Sequence, residues 1–274
     1  MREINYRLIV SDFDGTLLNS QHEIPEVVEK AINEYVTAGG IFAVCTGRML
    51  KSILPRVREL GLKGLVAAYQ GTVIADAESG EIIRNGGIGC SDAAQICKEL
   101  ERLGKNINVY IDDELYTNIP KSDKHLQLYE QITGIQANFI DGEISKFVIS
   151  INKPCQKIAC LVAPKERIEL YKNLNSVFGD RFDVTCSAEV LVEVSPLNDN
   201  KGAALKFLAD HYNVDLESTV AVGDNLNDLS MINAAGIGVA VGNAVDELKE
   251  AADFVAVTND EGAVAQIIEK YGYK

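Results

Sequence analysis

A chain of 274 residues that is 47% hydrophobic and 24% charged can build one large core or two ordinary ones, which excludes a disordered polypeptide. No apolar run reaches the ~18–20 residues of a membrane helix, and the opening MREINYRLIV lacks the layout of a signal peptide, so a cytoplasmic protein without a membrane partner is expected. The formal net charge of −14, with no basic patch, argues against a nucleic-acid partner and repels anionic ligands at long range; an anionic substrate would need a local cation or a few placed basic groups.

The six cysteines, at positions 45, 90, 97, 155, 160 and 186, form no C-x-x-C pair, and the three histidines at 22, 125 and 211 are scattered. These spacings do not suit a zinc site, and free thiols are expected.

In chain order, RLIVS (7–11) reads as a buried strand. PEVVEKAINEYVTAGG (25–40) reads as a helix, with Pro25 near its start and glycines at its end. IFAVCT (41–46) is a second strand, MLKSILPRVRELG (49–61) a helix kinked or started late at Pro55, and GLVAAY (64–69) a third strand. This alternation implies right-handed crossovers and a parallel sheet. The middle reads differently. SDAAQICKELERLG (91–104) is helical; INVYI (107–111) and ELYTNI (114–119) are strands joined by a turn at Asp112–Asp113. Next come the segment KSDKHLQLYEQITG (121–134), a strand KFVISI at 146–151, a helix at 164–179, and strands near 181–186 and 190–194. From 201 the alternation resumes: a helix at 201–213, strand TVAVGD (219–224), helix 226–236, strand IGVAVG (237–242), helix 244–253, strand FVAV (254–257) and helix 261–273. The expected fold class is α/β: a Rossmann-like parallel-sheet core (1–84 and 189–274) carrying an inserted α+β cap (85–188).

The chemistry concentrates at strand ends. Asp12 and Asp14 come just after the first strand, two apart and therefore on one side of an extended segment, at the carboxyl edge where open α/β sheets bind ligands. Gly15 permits an unusual turn there, and Thr16 would cap the next turn of chain or orient a carboxylate. Adjacent carboxylates repel unless a cation or proton lies between them, and magnesium, a hard cation with oxygen ligands, is the natural resolution. Alone, such a pair reads more readily as a solvated turn. A second acidic cluster, Asp224 and Asp228 in VAVGDNLNDLSM, ends another strand in the same way, and together they can build one oxygen-rich metal site. VCTGR (44–48) places the Thr46 hydroxyl and the Gly47 backbone at a helix start, a site for an anion. Lys201 stands at the start of a helix, where the helix dipole disfavours a cation unless the two share an anion.

The ordered set DFDGTL (12–17), TGR (46–48), KG (201–202) and GDNLND (223–228) resembles the haloacid dehalogenase superfamily of phosphohydrolases, and more narrowly its Cof-type members, whose large α/β cap lies between the second and third motifs. The resemblance covers the whole chain. It implies that Asp12 is the nucleophile, forming an aspartyl-phosphate, and that Asp14 is the acid that protonates the leaving alcohol and then activates water. It also implies that the Phe13 backbone N–H, Thr46, Gly47, Lys201 and Asn227 bind the phosphate. Magnesium would be held by the Asp12 carboxylate, the Asp14 main-chain carbonyl and the Asp224 carboxylate, with Asp228 orienting Lys201 or a metal-bound water. The cap would act as a lid that selects the leaving group. The implied partner is a small phosphorylated metabolite such as a sugar phosphate.

The chain departs from the usual Cof pattern after its third strand, where Gln70 precedes Gly71 in place of an Asn-Gly pair. The roles of Gln70, Arg48, Asn198 and Asp199 stay open in the sequence. A phosphosugar mutase using the same intermediate and a non-catalytic phospho-ligand-binding protein are the competing readings.

Overall fold

The computed structural model describes residues 2–188 and 190–274. The chain divides into two compact units, Met1–Arg84 with Asn200–Lys274, and Asn85–Asp199.

The first unit opens with β1 (Leu8–Ser11), α1 (Glu26–Thr37), β2 (Ile41–Val44), α2 (Leu50–Glu59), β3 (Leu65–Ala68), β4 (Val73–Asp76) and β5 (Ile82–Asn85), whose last residue begins the second unit. Pro55 lies inside α2, which continues through it. β4 and β5 are strands that the sequence pattern does not assign. They also change the setting of β3, which was expected to extend the parallel sheet. β3 forms an antiparallel ladder with β4, and among the described residues it meets the parallel sheet at one isolated parallel bridge, Cys45 to Ala67.

The second unit contains α3 (Cys90–Arg102), β6 (Asn108–Ile111), β7 (Glu114–Thr117), α4 (Lys124–Thr133), β8 (Asn138–Phe139), α5 (Ile144–Ile151), β9 (Lys157–Leu161), α6 (Pro164–Phe178), β10 (Phe182–Ala188) and β11 (Leu191–Pro196). Its sheet runs β10-β11-β9-β6-β7-β8. Val109 and Ile111, Ile158 and Cys160, and Val192 and Val194 alternate onto one face, packed with Ile96, Leu100, Val148, Leu170 and Leu174 of the helices. Asp112 and Asp113 both take positive φ, as a two-residue hairpin turn requires.

Three expectations change in this unit. KFVISI is not a strand but most of α5. A short apolar run cannot by itself separate strand from helix. Here Ile144 and Val148, four apart, are buried while Ile149 is half exposed, which is helical spacing. Ser145 fastens the first turn by donating from N and Oγ to Glu101 at 2.9 and 2.6 Å, and Asn152 in the left-handed region ends the helix. Strand β9, unassigned in the sequence, is central. Because β11 pairs with both β9 and β10, the return to the first unit falls at 199/200, not 188/189; residue 189 itself lies outside the described residues.

The first unit resumes with α7 (Lys201–Tyr212), β12 (Thr219–Gly223), a 3-10 turn (Leu226–Asp228), α8 (Leu229–Ile232), β13 (Ile237–Ala240), α9 (Asp246–Ala251), β14 (Phe254–Val255) and α10 (Ala263–Ile267), which passes into a π turn (Ile268–Gly272). The helix expected over 226–236 is therefore a 3-10 turn and one short helix. The five-stranded sheet β14-β13-β12-β1-β2 is parallel throughout. Its inner strands β1 and β12 are buried on both faces, as helix-covered parallel strands are. β1 lies between β12 and β2, so the chain turns to opposite sides after β1, and the loops after β12, β1 and β2 meet at the carboxyl edge. All six cysteines are free thiols. Among the described residues no helix is long and apolar enough to cross a membrane.

Candidate active site

The carboxyl edge of the parallel sheet brings the acidic motifs together. Asp12 is held just past β1: its N–H donates to Val222 O at 2.9 Å, and Ser11 Oγ donates to its carbonyl at 2.7 Å. Gly15 has φ +77°, and a β-carbon there would lie 2.6 Å from Asp224 Oδ2, so a side chain at 15 would collide with the carboxylate beside it. Thr16 Oγ1 donates to Asp224 Oδ1 at 2.8 Å, the orienting role open to it in the sequence.

Lys201 starts α7 with no exposed surface. The helix is fixed by its cap, with Asn200 Oδ1 accepting from Ala203 N at 2.9 Å, and by Gly202, where a β-carbon would come within 2.4 Å of Ser230 O. The lysine is thereby driven under the sheet edge. Its Nζ is 2.6 Å from Asp12 Oδ1 and 2.5 Å from Asp228 Oδ1. The other Asp228 oxygen accepts from Asp224 N and Asn225 N at 2.9 and 3.0 Å. Asp228 is thus fully engaged, orienting Lys201 and closing the turn after β12.

Oxygen atoms of Asp12, Asp224 and Asp228 all lie within 4.8 Å of one another. Burial pushes the Asp12 carboxyl well above its ordinary range; Lys201 pulls it back, and the charges of Asp228 and Asp224 push it up again. Asp224 is raised by burial and by Asp228, against the hydrogen bond from Thr16. Burial disfavours the Lys201 ammonium, but Asp12 and Asp228 outweigh it and raise its pKa above the usual lysine range. Cys45 nearby is pushed up to about 12, chiefly by burial, and contributes no charge at neutral pH. With all three carboxyls ionised, one ammonium leaves two negative charges uncompensated. An all-oxygen donor set with that surplus fits a hard divalent cation.

The other residues expected at the site are placed less uniformly. Thr46 is buried, its N–H donating to Ala67 O at 2.9 Å and its Oγ1 accepting from Arg48 N at 3.2 Å. The backbone N–H groups of Phe13 and Gly47 have no hydrogen-bond partner among the described residues. Asn227 is exposed and donates through Nδ2 to Gln70 Oε1 at 3.2 Å. Asp14 does not join the carboxylate cluster. Its side chain is exposed and takes a two-pronged ion pair from Arg48, Nε to Oδ2 at 2.7 Å and Nη2 to Oδ1 at 2.6 Å. The same guanidinium lies 5.1 Å from the centre of the Phe13 ring. No spacing in the sequence announces the Arg48–Asp14 pair, because its partners are 34 residues apart on different loops. Asn198 and Asp199 fall in the second unit.

Comparison with known proteins identifies the family. The haloacid dehalogenase-like hydrolase family matches residues 9–268. The chain is 34% identical to the phosphatase YwpJ of Bacillus subtilis, over 96% of this chain and 99% of that one. It is 29% identical to the 5-amino-6-(5-phospho-D-ribitylamino)uracil phosphatase YwtE of the same organism, over 96% and 97% of the two chains. Among solved structures it is similar to TM0651 of Thermotoga maritima, with a TM-score of 0.85 and 31% identity over 98% of each chain. The chain belongs to the haloacid dehalogenase-like hydrolases, in their Cof-type phosphatase branch.

Proposed function

We propose that the protein is a magnesium-dependent phosphatase of small phosphorylated metabolites, sugar phosphates among them, that works through an aspartyl-phosphate on Asp12. The observation that carries this reading is the cluster of Asp12, Asp224 and Asp228 around a fully buried Lys201, with its surplus of two negative charges. Its relatives support the substrate class: YwtE is by name a phosphatase of a phosphorylated ribityl compound.

The Asp12 and Asp224 carboxylates, with the Asp14 main-chain carbonyl, would hold the ion, which when bound offsets the charge of the phosphoryl oxygens. The chain's own residues do the rest. An Asp12 carboxylate oxygen attacks phosphorus, the bond to the leaving oxygen breaks, and Asp14 gives that oxygen its proton. Asp14, now a carboxylate, takes a proton from water, which attacks phosphorus and releases inorganic phosphate and the Asp12 carboxylate. Lys201 opposes the crowding of like charge around Asp12. Thr46 and the unpartnered N–H groups of Phe13 and Gly47 offer donors to phosphoryl oxygens, with Asn227 beside them. Arg48 occupies both Asp14 oxygens, so proton transfer requires one of them to be released.

The test is a phosphate-release screen over a broad panel of phosphorylated metabolites, with and without magnesium. Turnover of several small phosphoesters that depends on the metal is expected. Isomerisation of a hexose phosphate without phosphate release would replace hydrolysis by a mutase, and magnesium-dependent ligand binding without any turnover would leave only a binding protein.

A further inference from the structure

Three consecutive residues after β3 have positive φ: Tyr69 at +51°, Gln70 at +60° and Gly71 at +101°. Glycine adopts this region freely; a tyrosine and a glutamine do so at a conformational cost, and such strain persists only where the surroundings over-determine it. Here they do. Tyr69 N donates to Arg48 O and Gln70 N to Thr46 O, both at 2.9 Å, which ties the loop to the TGR segment. At Gly71 a β-carbon would lie 2.7 Å from Ala204 Cβ and 3.0 Å from Asn200 O, so the same loop presses on the start of α7 beside Lys201.

The result of this strain is the position of one side chain. Gln70 Oε1 accepts from Asn227 Nδ2 at 3.2 Å. Its other end lies against Gly47, with Nε2 2.7 Å from the place a β-carbon on Gly47 would occupy. The oxygen is engaged, and the Nε2 hydrogens have no acceptor among the described residues. An oriented amide donor therefore sits next to the unpartnered Gly47 N–H, between the loops that carry Thr46 and Asn227.

We propose that Gln70 is a further phosphate-binding residue: its Nε2 donates to an oxygen of the phosphoryl group, and its Oε1 fixes the Asn227 amide beside that group. The donor is neutral, so it adds a hydrogen bond to the anion without another buried charge to solvate. This inference rests on the function proposed above, because it needs a phosphoryl group at the TGR loop.

The experiment uses inorganic phosphate as a competitive inhibitor in the presence of magnesium, together with the side-chain amide signal of Gln70 in a nitrogen-15 spectrum, identified by its loss in Gln70→Gly. Phosphate is expected to shift that signal in the wild-type protein. Gln70→Gly relieves the left-handed strain, so its melting temperature should not fall, while its inhibition constant for phosphate rises about tenfold or more. A Gln70→Gly protein inhibited as strongly as wild type overturns the proposal. So does an unmoved Gln70 signal in wild-type protein that phosphate does inhibit; Gln70→Ala supplies the same identification if the glycine variant folds poorly. A wild type that neither releases phosphate nor binds it overturns the proposed function as well, and is a different result from an active enzyme indifferent to Gln70.

Discussion

Each unit shields a lysine from solvent, Lys201 completely and Lys157 with 15% of its side chain still exposed, and the two lysines are treated differently. In the second unit Lys157 Nζ meets Glu193 Oε1 at 2.6 Å and lies 4.9 Å from the centre of the Tyr110 ring, one charge against one. In the first, Lys201 meets Asp12 and Asp228 with Asp224 close by, one charge against three. A matched buried pair is a structural element, and replacing both partners by well-packed apolar residues is often neutral. An unmatched cluster keeps carboxyl groups raised by burial and by each other, which is worthwhile only if something else supplies positive charge. The charge balance, more than burial or the number of hydrogen bonds, separates a site from a strut.

The largest expected break of this contrast is Asp12→Asn. The amide cannot attack phosphorus, so phosphate release should fall by roughly 10⁴-fold or more. The same change removes one of three crowded negative charges, so the metal-free protein should melt no lower than wild type. Near-normal turnover would end the nucleophile assignment. Next in size is metal removal: EDTA should silence hydrolysis and magnesium restore it, while the second unit's matched pair gives chelation nothing to act on. Activity that persists in the chelator would remove the cation from the account.

Stability comparisons sharpen the contrast further. Lys157→Met leaves Glu193 buried without a partner and should cost about 3–5 kcal/mol in denaturant unfolding, most of it recovered in Lys157→Met with Glu193→Leu. Recovery by the double variant is the signature of a matched pair; a double variant as unstable as the single one would deny it. The pH dependence has a definite sign. Burial alone lowers the Lys157 pKa, but Glu193 with Tyr129 outweighs it, and the folded value is raised. The contribution of Lys157 is therefore complete below the unfolded lysine value of about 10.4 and is lost as pH rises through the folded value. In Glu193→Gln burial keeps only Tyr129 against it, so stability should instead fall as pH drops below the unfolded value of about 10.4. The smallest expected effect belongs to Arg48→Lys, which exchanges a two-pronged contact with Asp14 for a point charge and should lower kcat several-fold with the melting temperature nearly unchanged. Unaltered kcat would show that Arg48 does not govern Asp14.

Much of this was legible in the sequence where one residue type has one physical use. Short apolar strands ending in aspartate at 12 and 224, a lysine at a helix start, and Gly15 and Gly202 at close approaches all stand as the motif spacing requires. What was not legible depended on partners distant in the chain. KFVISI folds as a helix because Ser145 finds Glu101, 44 residues back. β11 joins the second unit because β9 and β10 offer it ladders, so the boundary at 199/200 carries no local mark. Asp14 leaves the carboxylate cluster for Arg48, and Gln70 is set by three left-handed residues of which only Gly71 advertises itself.

The central claim is that Asp12 carries the phosphoryl group. An aryl phosphate with a good leaving group needs no acid to depart, but the phosphorylated aspartate still needs Asp14 to activate water. Asp14→Asn, mixed with such a substrate and magnesium, quenched in acid and analysed by peptide mass spectrometry, should release one aryl alcohol per protein and hold the phosphoryl group on Asp12. Release of the aryl alcohol with Asp12 unmodified would contradict the account.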